Sequence, residues 1–177
     1  MEQEVQALLE RGEGEEQIFL PARSRRALLG EALVALANTR GGYLVLGARR
    51  RRGRFEGVAE PEEACRALLD AARRCRPPLK LAPPAVVVVG GVPLVVAHVA
   101  ADPAQVYHWE GRYLHRVGAT TVPLEPAELR RLLLERSPEG FEGTVPPGAT
   151  LDDLDEDAVR NGMVASGSAS PDPSLWL

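Results

Sequence analysis

Residues 24–47, SRRALLGEALVALANTRGGYLVLG, decide the fold. Leu28, Leu29, Leu33, Leu36 and Ala37 recur at helical spacing, which predicts a helix capped by Ser24 and running to about Asn38. Gly41-Gly42 ends it, because glycine alone enters the left-handed region without a Cβ penalty. Tyr43-Leu44-Val45-Leu46-Gly47 then reads as a continuous apolar strand, which requires cover on both of its faces. An apolar helix returning straight into a doubly covered strand calls for a sheet with helices packed on it.

Working outward, Val5, Leu8 and Leu9 predict a short amphipathic helix over residues 2–11, and Ile18-Phe19-Leu20 before Pro21 a short strand. Arg49-Arg50-Arg51-Arg52-Gly53-Arg54 is a polar turn, followed by a strand through Phe55 and Val58. Pro61 opens a second helix with Ala64, Leu68, Leu69 and Ala72 on one face, and Pro77-Pro78 closes it. Ala85–Val89 and Val92–Ala100 form a hairpin through Gly90-Gly91. A second hairpin is expected around Glu110-Gly111, between Val106–Trp109 and Arg112–Val117. Pro126 opens a last helix, with Leu129, Leu132 and Leu133 inward. The order predicts an α+β domain, a mixed or antiparallel sheet with packed helices, over residues 1–136. Residues 137–177 read as an acidic tail rich in Gly, Pro and Ser, largely disordered or docked on a partner.

The 177 residues amount to one domain with a real core. No apolar run approaches the ~18 residues that span a bilayer, and the acidic N-terminus lacks a signal-peptide core. Cys65 and Cys75 are too few for a disulfide framework or a four-cysteine zinc site and read as buried or half-buried thiols. A cytoplasmic protein without a membrane partner is expected. The net charge of −4 hides a split: residues 1–138 carry +3 and residues 139–177 carry −7. Lys80 is the one lysine among 21 basic residues, so a GC-rich coding sequence explains part of the arginine excess.

Several blocks occur together and in a fixed order. They are Gly12-Glu13-Gly14 ahead of Phe19, then Ala37-Asn38-Thr39-Arg40-Gly41-Gly42-Tyr43-Leu44, and Leu46-Gly47 before Gly53 and Gly57-Val58. Pro77-Pro78-Leu79 follows, then Gly111-Arg112-Tyr113-Leu114-His115-Arg116-Val117-Gly118-Ala119-Thr120-Thr121, and the helix Glu128-Leu129-Arg130-Arg131-Leu132. Over residues 8–136 the chain resembles the Schlafen-type AlbA-like domain, a family of DNA-binding domains in bacterial transcriptional regulators and helicase-related proteins. The resemblance implies a nucleic-acid-binding domain and, in the nuclease branch, three carboxylates that hold a divalent metal. Glu13 matches the first carboxylate, whereas Ile18 stands where that branch has a glutamate and Leu20 where it has a lysine, and the acidic turn position falls within Arg49–Arg52. One carboxylate among four arginines holds a metal poorly, so no metal, no cofactor and no catalytic residue is expected.

Arg49, Arg50, Arg51, Arg52 and Arg54 are the candidate phosphate contacts, each adding a salt-sensitive, sequence-independent increment. On the later hairpin Arg112 and Arg116 share a face with Leu114, a basic strand edge for phosphate with Thr120 and Thr121 as hydroxyl donors; the other reading is an exposed hairpin whose threonines serve β-propensity. Asn38 and Thr39 read as capping residues, His98 as a hydrogen-bonded core residue, and Tyr107-His108-Trp109 as base-stacking groups, an ordinary hairpin or a dimer contact. No serine-histidine-aspartate spacing, GxxxxGK[ST] or HExxH occurs. The expected function is a non-catalytic module binding DNA, with RNA as the other candidate, and acting as a homodimer. Two rivals are a metal-dependent nuclease using Glu13 with Glu15 or Glu16, and a protein-interaction domain with no nucleic-acid partner. In one variant the acidic tail covers the basic face.

Overall fold

The computed structural model describes residues 2–51 and 54–136. In chain order the elements are α1 (Glu2–Arg11), β1 (Gln17–Leu20), α2 (Arg26–Asn38), β2 (Gly41–Leu46), β3 (Arg50–Arg51), β4 (Arg54–Phe55), α3 (Pro61–Arg74), β5 (Ala85–Val89), β6 (Val92–Ala100), β7 (Leu114–Val117), β8 (Thr120–Pro123) and α4 (Pro126–Glu135). Four strands form one sheet in the order β1-β2-β6-β5. β1 runs parallel to β2, with Gln17 beside Tyr43 and Leu20 beside Leu46, and the other pairings are antiparallel. This is the expected α+β fold with a mixed sheet. Arg52 and the tail at 137–177 lie outside the described residues.

The apolar strand β2 is covered on both faces, as its composition requires. Leu44 and Leu46 point into the larger core with Leu33, Leu36, Leu68, Val95 and Val99. Val45 points the other way, against Val87, Val89, Leu94 and Val96, beneath Val5, Leu8 and Leu9 of α1. α2 is buried along most of its length because the sheet, α3 and β7 all pack on it. Gly42 has φ +132°, and a Cβ there would lie 2.0 Å from the Glu16 carbonyl oxygen. The missing side chain lets the backbone before β1 come close enough for Tyr43 N–H to donate to that carbonyl at 2.7 Å.

Several local expectations are corrected. α2 begins at Arg26 with Arg25 at its N-cap, because the Ser24 hydroxyl donates to the Pro21 carbonyl instead. Val106–Trp109 is not a strand and makes only single bridges, Arg76 with His108 and Trp109 with Arg112. The turn between Trp109 and Arg112 is tight, with φ +48° at Glu110 and +81° at Gly111. β7 pairs instead with β8, which places Thr120 and Thr121 on a strand. Val58 lies outside β4. His98 is exposed rather than in the core: it sits on the α1 side of β6, where Tyr43, with ring centroids 5.0 Å away, is its neighbour. α4 buries no residue completely, and Leu133 is 47% exposed. Cys75 is buried and its thiol pKa is pushed up to about 11, chiefly by burial.

One buried side chain joins these parts. Asn38, 4% exposed at the end of α2, donates through Nδ2 to the carbonyls of Tyr107 (2.8 Å) and Leu114 (2.9 Å) and accepts the Tyr107 N–H through Oδ1 (2.8 Å). Next to it Thr39 Oγ1 accepts from the Arg116 N–H (2.8 Å) and donates to the Ala35 carbonyl. Arg136, after α4, donates to the carbonyls of Asn38 (2.9 Å) and Gln105 (2.8 Å). The Tyr107 hydroxyl donates to Asp102 Oδ2 at 2.5 Å. The helix end therefore holds both loops of the later chain by fully satisfied hydrogen bonds.

This clasp makes two predictions. Asn38→Ala will cost about 3 kcal/mol or more in chemical denaturation, since it strips partners from three buried backbone groups. Asn38→Asp will be comparably damaging, because a carboxylate cannot donate to the two carbonyls; a near-neutral Asn38→Asp would refute this account. The second concerns pH. The Tyr107 hydrogen bond holds the Asp102 carboxyl below its usual range, so its stabilisation is present above about pH 4 and is lost as pH falls through the lower folded value. Burial, and then Asp102, push Tyr107 up to about 12, so the tyrosine's share is lost only as pH rises through that value. The thermal midpoint of the wild type will therefore fall more steeply on acidification than that of Asp102→Asn.

Candidate nucleic-acid interface

β1 and β2 are parallel, so both end at the same margin of the sheet. From that margin the chain turns into the arginine ribbon. Gly47 N–H donates to Leu20 O (3.0 Å), Gly57 N–H to Gly47 O (3.0 Å), and Glu56 N–H to Arg49 O (2.9 Å), which fastens the ribbon's base. Within it Arg50 pairs with Phe55 and Arg51 with Arg54. Phe55 is half-buried against the smaller core and anchors the ribbon, while Arg49 and Arg54 are exposed. The same margin carries Arg23 and Arg25, both exposed, in the turn after β1. Glu56 Oε2 accepts the Ala22 N–H (3.2 Å) and ties this turn to the ribbon.

Beside the ribbon lies a groove of about 970 Å³ whose lining includes Arg23, Arg25, Glu56, Glu60 and Glu63. Glu60 is held above its ordinary range, first by its hydrogen bond with Glu63 and then by that group's charge, while Arg23 pulls it down. The groove has mixed charge. The exposed basic groups beside it suit phosphate: guanidinium donors on a short, pinned ribbon act electrostatically without reading a base sequence.

The second basic element does not join the first. β7 packs on α2 beside the starts of β1 and β2, and β2 is about 17 Å long at the usual rise per residue. Arg112 is exposed but paired with Glu31. Arg116 requires a correction, since it is 5% exposed. Its guanidinium donates to the Gly14 carbonyl (2.6 Å from Nη2, 3.1 Å from Nε) and to Thr121 Oγ1 (3.0 Å), so the Arg116 charge is used within the fold, while Thr121 only accepts in this contact. Burial lowers the Arg116 pKa, against the pull of Glu13 and Glu15. Thr120 is exposed. Tyr107 and Trp109 are core residues, 4% and 3% exposed, so neither ring is available to stack on a base. The side chains of Arg50, Arg51 and Arg52 lie outside the described residues.

Arg23 and Arg25 were missed in the sequence. The available signal was a cluster of three arginines at 23–26, which becomes relevant only once β1 and β2 are known to be parallel.

The carboxylates fit a divalent metal poorly. Glu13 Oε1 accepts the Phe19 N–H at 3.1 Å, and its charge faces Arg116. Among the described residues, no three His, Cys, Asp or Glu side chains gather as a metal site.

The family model described as Schlafen, AlbA_2 matches residues 10–125, well over half of the chain. The chain belongs to the Schlafen AlbA_2 family. A crystal structure of the DIP2311 protein from Corynebacterium diphtheriae is similar at 20% identity and a TM-score of 0.52, covering 91% of this chain and 32% of that one. That similarity supports the fold, and this AlbA_2 chain spans about a third of the DIP2311 chain's length. The N-terminal domain of an ATP-dependent DNA helicase RecG-related protein from Nitrosomonas europaea matches at 26% identity and a TM-score of 0.45, covering 54% of this chain and 71% of that one. No curated protein matches significantly.

The placement of Arg116 makes a direct prediction. Arg116→Ala will lower unfolding free energy by about 2–4 kcal/mol, since the Gly14 carbonyl loses a buried charged donor. Arg112→Ala, at an exposed pair, will cost under about 1 kcal/mol in the same denaturation assay.

Proposed function

We propose that this AlbA_2 domain is a non-catalytic nucleic-acid-binding module with DNA as its partner. It would belong to a transcriptional regulator or helicase-related protein and act in the cytoplasm as a homodimer. The observation that carries the reading is the pinned ribbon with Arg49 and Arg54 exposed, beside Arg23 and Arg25, on a fold of this family. Binding through this margin is electrostatic and tracks the phosphate backbone. Duplex affinity therefore falls linearly with the logarithm of salt, each contacted phosphate contributing a slope of about 0.9.

The test is a titration of labelled duplex DNA, single-stranded DNA and RNA over a salt series, with and without Mg²⁺ or Mn²⁺. The expected result is duplex binding whose salt slope falls by about one per arginine removed in Arg49→Ala and Arg54→Ala. Arg112→Ala should leave that slope nearly unchanged. Preference for RNA would change the partner class. Metal-dependent cleavage lost in Glu13→Ala would replace the module with a nuclease. No binding at low salt would make the domain a protein-interaction unit.

A further inference from the structure

The two edges of the sheet are treated differently. β1 is closed by its own surroundings: Phe19 N–H is taken by Glu13 Oε1 (3.1 Å), and the Gln17 carbonyl accepts from Gly14 N–H (3.1 Å) and from Arg116. The opposite edge, β5, is Ala85-Val86-Val87-Val88-Val89, which pairs with β6 on one side and, among the described residues, with no strand on the other. Val87 and Val89 are buried against the smaller core, whereas Val86 and Val88 are 47% and 54% exposed. No charged residue occurs from Leu81 to Ala97, and Pro83-Pro84 and Gly90-Gly91 bound the strand. Natural sheets guard their edges with lysine, proline within the strand, bulges or a covering element. β5 itself has none of the sequence guards, while β1 is guarded.

We propose that β5 is the self-association edge of this protein: two copies pair their β5 strands antiparallel about Val87 and join two four-stranded sheets into one of eight strands. A second copy suits this edge because the pairing is self-complementary. Val86 of each copy faces Val88 of the other, and the uncharged flanks bring no like charges together. The antiparallel joint supplies the missing backbone partners and covers the exposed valines. Each arginine ribbon lies at the Gly90 end of its own β5, where a Cβ on Gly90 would be 4.0 Å from the Phe55 ring. The two-fold joint therefore sets the two ribbons at its opposite ends, which widens the basic surface. The proposal deepens the homodimer part of the proposed function and rests on that part alone.

The experiment is light scattering on the full chain, with circular dichroism to confirm folding. The expected wild-type mass is near twice 19.1 kDa. The double variants Val86→Glu/Val88→Glu and Val86→Lys/Val88→Lys should each be folded monomers, and mixing them should restore the dimer mass by placing opposite charges across the joint. Val117→Lys, at a valine 55% exposed on β7, should remain dimeric. A monomeric wild type would overturn the homodimer and this edge together. Dimers persisting in both double variants would overturn the edge while leaving a homodimer.

Discussion

The buried amide of Asn38 is the constraint on which the later half of the molecule depends. It stands where α2 ends, and its two donors and one acceptor meet two carbonyls and one N–H from segments 69 and 76 residues further on. A buried primary amide is stable only when it is satisfied, and here the arrangement leaves little freedom in how the Tyr107–Leu114 segment approaches the helix. Thr39 holds β7 by accepting the Arg116 N–H, and Arg136 brings the end of α4 to the same helix terminus. Helix capping alone would not need the asparagine to be buried. The block Ala37–Gly42 thus works twice, with polar side chains holding the later loops and a bare Gly42 admitting the backbone that precedes β1.

Charge follows from the same topology. Parallel pairing of β1 with β2 makes the turns after both strands neighbours, and each turn is rich in arginine. The ribbon is held by backbone hydrogen bonds at its base and by Phe55 in the smaller core, so Arg49 and Arg54 are presented on a defined support. Arg116 is the opposite case. It lies on the inward face of β7 with Leu114, and burial of its guanidinium is compensated by carbonyl and hydroxyl acceptors and by the charges of Glu13 and Glu15. The glutamate that the nuclease branch would turn toward a metal is here a guard for the β1 edge and a neighbour of that arginine.

The elements with strong periodicity were legible in the sequence. α2, α3, β2 and the β5–β6 hairpin fall close to where apolar spacing, Pro61 and Gly90-Gly91 put them. Weak segments were less so. β8 consists of Thr, Thr, Val and Pro, whose strand character comes from pairing with β7 rather than from apolar alternation. His98 was assigned to the core because its neighbours are apolar, yet alternation on β6 places it beyond the cover of α1.

The sequence by itself determined the α+β class, the apolar strand buried on both faces and the ordered blocks by which the chain resembles its family, because composition and local spacing suffice for each. Only the tertiary structure decided which arginines face solvent. Arg112 and Arg116 share a strand parity in the sequence, but one is paired at the surface with Glu31 and the other is buried among backbone acceptors. It also decided that Arg23 and Arg25 lie at the same margin as the ribbon and that, among the described residues, β5 is an unpaired edge. Those facts depend on strand order and on contacts between distant residues, which no local pattern encodes.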